Sequence, residues 1–305
     1  MPHLRQVRQK PPLPGLLGNM LKHRLLFGTL MSLFFVGVVI LDAWLDGSLT
    51  ACGTDDKPVQ ATVLCILIAL LTVAGMVEMS KLAAKKGVTV FTSFAAISSI
   101  LFATTWYWRQ FAAVAPGIYL FCVSAFVLWG LFFIQYLRFG ASGVLSNCGA
   151  NYFSIIYLGL LSGFVIAMRI DFGVWPLLMF VFVVKGADIG AYTAGKLFGR
   201  HRFSPVISPG KTWEGMAGAI IAAGAVAVCF AGAFDIMSMR MAVIFGPVFA
   251  VIGQLGDLAE SMLKRDAEQK DSTSAIPGFG GILDVVDSPL AAASFAYLFF
   301  VFAAR

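Results

Sequence analysis

Asp284 and Asp287 stand three residues apart in "ILDVVDS", directly after the turn "PGFGG". That spacing puts both carboxylates on one face of a helix opening behind the turn. Pro277, Gly278, Gly280 and Gly281 make the turn poor in side chains, so its backbone amides can approach a phosphate. Upstream, "QLGDLAESMLKR" reads as one helix in which Asp257, Ser261 and Lys264 fall at i, i+4 and i+7 on a single face, with Glu260 within a turn of Lys264. Two acids in a first helical turn are also favoured by the helix dipole, and Glu260 with Lys264 is an ordinary surface pair. Capping does not account for Asp257. Three carboxylates, Asp257, Asp284 and Asp287, beside Lys264 and Lys270 form a hard-cation site for Mg²⁺ or Mn²⁺ bound together with a polyphosphate.

A second polar segment runs from Lys185 to Gly215, "KGADIGAYTAGKLFGRHRFSPVISPGKTWEG". Its GKT invites a nucleotide P-loop reading, but Pro205 stands where that motif needs its first glycine and no strand precedes it. What remains is a basic loop punctuated by Gly and Pro, with Arg200, His201, Arg202 and Lys211 available to phosphates. Gly186 and Gly190 form a GxxxG suited to helix packing. The five cysteines show no CxxC spacing and the three histidines lie far apart, so no zinc, haem or iron–sulfur pattern is present.

The elements that must position these residues are membrane helices. The chain is 59% hydrophobic and 12% charged over 305 residues, far more apolar than a soluble domain. Membrane-length apolar windows predict an all-α polytopic protein with about nine spans, near 25–45, 61–80, 88–108, 117–137, 150–168, 173–190, 214–234, 241–258 and 286–304. With the N-terminus in the cytoplasm, 16 Lys and Arg fall in cytoplasmic segments and five outside, which fixes the orientation by the positive-inside rule. The net charge of +6 is then that bias plus attraction to anionic lipid, and no nucleic-acid partner is implied. The expected division is a cytoplasmic tail over 1–24, N-terminal transmembrane helices over 25–170, and a catalytic transmembrane region over 171–305 with two cytoplasmic loops. Ionisable groups inside a span are costly. Before residue 170 the deep one is Glu78, which can snorkel or pair with Lys81, whereas Lys185, Asp188, Glu214, Asp257, Glu260, Asp284 and Asp287 crowd the cytoplasmic ends of the later runs.

Ser261, Lys264, Arg265, Lys270, Asp271, Pro277, Gly278, Gly280, Gly281, Asp284 and Asp287 stand in the register of the C-terminal signature of the phosphatidate cytidylyltransferase (CDP-diglyceride synthase) family, which the chain resembles. "DIGAYTAGKLFG" and "SPGKTWEG" are similar to that family's other segment. The resemblance implies transfer of CMP from CTP to phosphatidate, giving CDP-diacylglycerol and pyrophosphate. It implies metal binding by Asp257, Asp284 and Asp287, catalysis by these with Ser261 and Lys264, and contacts to CTP from Lys211, Ser208, Arg265, Lys270, Gly280 and Gly281. A divalent ion, a monovalent cation beside it, a homodimer and a bacterial inner membrane with the site facing the cytosol are implied in the same way. Phe279 replaces the family's histidine and Val285 the arginine after the first aspartate, so either affinity or rate is expected to fall or a nearby basic residue such as Arg265 or Arg202 to substitute. The competing readings are a CTP-dependent polyprenol or phytol kinase, which would transfer the γ-phosphoryl group, an inactive relative serving as a membrane interaction protein, and a transporter, for which acids near the midplane are expected instead.

Overall fold

An apolar run crossing hydrocarbon must satisfy its own backbone, and an open chain does so only as helix. The computed structural model describes residues 14–49, 59–111, 115–269, 272–273 and 280–303, with side chains from residue 28 onward. Lys270, Asp271, Pro277, Gly278 and Phe279 lie outside the described residues. The helices are α1 (Pro14–Leu45), α2 (Thr62–Lys85), α3 (Thr92–Ala103), α4 (Thr105–Trp108), α5 (Pro116–Phe139), α6 (Val144–Ile155), α7 (Leu161–Phe172), α8 (Val174–Phe198), α9 (Trp213–Phe234), α10 (Met239–Asp266) and α11 (Leu283–Ala303). A π-helical turn, Ile156–Leu160, joins α6 to α7 without a break in direction. The chain is an all-α polytopic membrane protein.

Among the described residues, eight helices are long and apolar enough to cross a membrane, counting α6 through α7 as one. The expected span at 88–108 is instead the short helix α3 followed by α4, broken at Thr104. It still traverses the bundle. The backbone of Thr89, just before α3, bonds to Asn147 near the start of α6, while Gln110, just after α4, bonds to Gln60 at the start of α2. The two ends of the pair therefore meet opposite ends of the neighbouring helices. Helices also outrun the expected limits: α1 begins at Pro14 inside the expected tail, and α8 continues to Phe198, which carries Lys185 and Asp188 within a helix.

Alternating passes collect Lys81, Lys86, Arg138, Lys196, Lys211, Lys264 and Arg265 at one end of the bundle, here the basic end. The opposite end is closed by Arg169, fully buried on α7, which faces Asp42 of α1 at 3.2 Å and Asp46, just past the end of α1, at 2.7 Å. Between them the core is apolar. Leu177, Phe180, Val183 and Val184 of α8 meet Ala219, Ala223 and Ala227 of α9 and Phe245 and Phe249 of α10. Small residues bring α8 and α9 close: a Cβ at Gly190 would run into the Gly218 carbonyl and the Ala222 methyl of α9, the packing that the GxxxG spacing suggests. Large side chains on α5, including Phe121, Trp129 and Phe133, point away from this core.

Candidate active site

The site lies at the basic end, where α10 leaves the core and α11 enters it. α10 is continuous to Asp266, so Asp257, Glu260, Ser261 and Lys264 share its inner face as the spacing predicts. Ser261 Oγ lies 3.4 Å from Asp257 Oδ1, and both Ser261 and Lys264 are largely buried. α11 starts at Leu283, so Asp284 and Asp287 fall in its first turns and face α10. Gly280 sits at φ +96°, a left-handed conformation that glycine adopts without strain.

Of the three expected metal carboxylates, the structure brings two together. Asp257 and Asp287 each place an oxygen within 4.8 Å of the other and of a Glu260 oxygen. Glu260 is 2% exposed, with the Lys264 ammonium against its Oε2 and, among the described residues, no partner on its Oε1. Asp284 is turned elsewhere. Its Oδ1 meets Lys264 Nζ, and its Oδ2 accepts from Ser272 N at 3.0 Å, Ser272 Oγ at 2.7 Å and Gly281 N at 2.7 Å. Both oxygens are thus taken by protein donors, whereas in Glu260 only Oε2 meets one, the Lys264 ammonium, and Oε1 has no partner among the described residues.

Lys211, at the end of the loop between α8 and α9, reaches α10, where its ammonium lies 3.0 Å from Asp257 Oδ2 and 2.6 Å from the Gln254 carbonyl. A short antiparallel bridge, Arg202 to Thr212, closes that loop, and the Thr212 hydroxyl caps α9 by accepting from Gly215 N. Ser208 lies in the loop's turn, where its carbonyl accepts from Lys211 N at 3.1 Å. Arg265 ties the same loop to α10 through the Ile207 carbonyl at 3.1 Å, and its Nη1 donates to Gln269 O at 2.8 Å. His201 pairs with Glu214 at 2.6 Å, away from the acids.

Neither Arg265 nor Arg202 stands beside Val285. That place is taken by Lys185 of α8, whose ammonium donates to the Val285 carbonyl at 2.8 Å and lies 3.3 Å from Asp188. Pro289 explains why the carbonyl is free: it stands four residues on and has no N–H to close the helical bond. Gln254 then joins Asp188 to α10 at 3.2 Å.

Glu78 does something the sequence reading missed. It is 5% exposed, and in place of a surface pair with Lys81 it accepts from Ser272 Oγ, Thr273 Oγ1, Ile282 N and Leu283 N at 2.9, 3.1, 2.9 and 3.0 Å. Glu260, Lys185 and Asp188 were visible as charges inside apolar runs. Glu260 was masked by the bland i, i+4 pairing with Lys264, and no local spacing joins α8 or α2 to α11.

A largely buried acid cluster between two ammonium groups at the basic end of the bundle suits a divalent ion with a polyphosphate, and comparison with known proteins gives the family. The Cytidylyltransferase family profile matches residues 57–303. The chain belongs to the cytidylyltransferase family. A protein named phosphatidate cytidylyltransferase from Chlamydia pneumoniae is 30% identical over 261 residues, covering 79% of this chain and 83% of that protein. Proteins of the same name from Haemophilus influenzae and Bacillus subtilis are 42% and 39% identical over 135 and 145 residues, 41% and 47% of this chain. The chain spans about half the length of these two relatives, 46% and 54%. The family match takes in every site residue described above, Glu78 included.

Proposed function

We propose that the protein transfers CMP from CTP to phosphatidate, releasing pyrophosphate and CDP-diacylglycerol, at the cytoplasmic end of an integral protein of a bacterial inner membrane. The observation that carries this reading is the Asp257, Glu260 and Asp287 cluster flanked by Lys211 and Lys264 at the basic rim of a cytidylyltransferase-family bundle.

Both reactants are anions, so the site must bring like charges together before an oxygen of the lipid phosphate can attack the α-phosphorus of CTP. The bond from that phosphorus to the α,β-bridging oxygen breaks, and pyrophosphate leaves with the electron pair. Positioning and charge neutralisation supply most of the acceleration. The three carboxylates suit a hard cation, because they offer oxygen ligands only and the buried Glu260 Oε1 has no donor of its own among the described residues. Mg²⁺ or Mn²⁺ held there would neutralise triphosphate oxygens. Lys211 and Lys264 bring ammonium groups to the two sides of the cluster, and the Ser261 hydroxyl lies beside Asp257. Asp284 fixes Lys264. Ser208, in the loop between α8 and α9, and Arg265, which braces that loop from α10, would reach CTP from the loop side. The lipid enters from the inner leaflet and CTP from water, so both reach a site that sits at the rim. A homodimer follows from the resemblance alone.

The test is pyrophosphate release by the purified protein in detergent with CTP, Mg²⁺ and phosphatidate, beside Asp287→Asn. Release that requires phosphatidate and disappears in the variant supports the reading. CDP without pyrophosphate would make the protein a CTP-dependent lipid kinase, and the absence of CTP binding would make it an inactive relative.

A further inference from the structure

The Glu78 carboxylate is buried on α2, and among the described residues its four donors are all neutral: two hydroxyls and two backbone amides. The amides of Ile282 and Leu283 open α11, and among the described residues both donate to Glu78 and not to a side chain near in sequence. Beside Asp284 in the first turn, a second carboxylate complements the positive end of α11, and it comes from a residue more than 200 positions earlier in the chain. The packing leaves no slack. A Cβ at Gly281 would collide with both Ser272 Oγ and the Glu78 carboxylate.

The contact continues toward the acid cluster. Ser272 Oγ lies 2.9 Å from Glu78 Oε2 and 2.7 Å from Asp284 Oδ2, so the two carboxylates share its single hydroxyl proton. The other oxygen of Asp284 meets the Lys264 ammonium, and Lys264 in turn meets Glu260. Glu78, Ser272, Asp284, Lys264 and Glu260 thus form one unbroken polar chain from α2 to the cluster. Its ion pairs are buried, where a missing partner leaves its neighbour uncompensated.

We propose that Glu78 is a positioning residue of this site: by holding Ser272 and the first amides of α11 against α2, it fixes Asp284 and Lys264 and so orients Glu260 within the Asp257, Glu260 and Asp287 cluster. The inference rests on that cluster being the divalent-ion site of the proposed reaction. A purely structural anchor would lower stability alone. A positioning residue changes ion affinity and turnover in protein that is folded.

The experiment titrates Mn²⁺ into the detergent-purified full chain without substrates, reads free ion by electron paramagnetic resonance, and then measures turnover with CTP and phosphatidate. Glu78→Gln is expected to weaken Mn²⁺ binding about 10-fold and lower kcat by a similar factor or more, with the KM for phosphatidate changed less than about twofold. Ser272→Ala, which removes only the bridging hydroxyl, is expected to reproduce the shift, and the double variant to add little to either alone. Mn²⁺ affinity and kcat equal to the wild type in Ser272→Ala and in folded Glu78→Gln overturn the proposal. So does a wild type that binds no Mn²⁺. If the wild type binds Mn²⁺ and the variants bind it more weakly, but no CDP-diacylglycerol forms, the positioning role stands and the proposed reaction fails.

Discussion

The Lys211 ammonium lies 3.0 Å from the Asp257 carboxylate, although one residue ends a loop and the other sits well inside α10. The contact draws the basic loop between α8 and α9 onto the acid cluster, and the Gln254 carbonyl secures it from the same helix. Lys211 is little exposed, while Asp257 remains about a third open, so the pair sits where a phosphate can reach both.

Lys211→Met keeps the length of the stem and removes the charge. It is expected to lower kcat/KM for CTP by about 100-fold, the scale seen when one donor to developing anionic charge is removed. Thermal stability should change little, because Asp257 retains access to water. Wild-type kinetics in this variant would remove Lys211 from the phosphate site.

Lys185 carries the positive charge that residue 285 lacks. Its ammonium sits on the Val285 carbonyl, freed by Pro289, and beside Asp188. Lys185→Met is expected to cut kcat about 10-fold or more, and Val285→Arg in that background to recover most of the loss, since the charge returns to the first turn of α11. Failure of a folded double variant to recover would assign Lys185 to the support of Asp188 and not to a charge at position 285.

The opposite end of the bundle predicts a loss of stability without a change in chemistry. Arg169 is fully buried between Asp42 and Asp46. Asp42 also accepts from the amides of Val63 and Leu64, and Asp46 from Ala61, so the trio ties α1, α2 and α7 together. Arg169→Met strands two buried acids and is expected to cost about 3–5 kcal/mol of stability, read as a lower Tm in detergent. Turnover per folded molecule should stay near the wild type, because the trio closes the far end from the site. Loss of turnover in protein that remains folded would show coupling between the two ends.

Much of the site was legible because its residues are close in sequence. Asp257, Ser261 and Lys264 needed only helical periodicity, and Asp284 and Asp287 only the end of a Gly-rich turn. Eight of the nine expected spans were legible too, since apolar length reports them, whereas 88–108 is the short α3 followed by α4, divided at Thr104, whose hydroxyl bonds back to Ile100 and Leu101. What periodicity cannot give is the rotation of one helix against another. The rotation of α10 against α11 sets Glu260 beside Asp287 and sends Asp284 to Lys264. The approach of α2 to the same turn makes Glu78 a partner of Ser272, which is a contact between residues 194 positions apart.

That rotation separates the roles of the two α11 acids, and the separation can be measured. Asp287 contributes an oxygen to the cluster directly, so Asp287→Asn is expected to abolish Mn²⁺ binding over the range in which the wild type saturates. Asp284 acts through Lys264, so Asp284→Asn is expected to weaken binding only about 10-fold, matching Glu78→Gln, while kcat falls further because Lys264 is no longer held between two acids. Titration of both variants by electron paramagnetic resonance checks this. An equal and complete loss of the ion from both would make Asp284 a direct ligand, which would require its carboxylate to leave Ser272 and Gly281 when the ion binds.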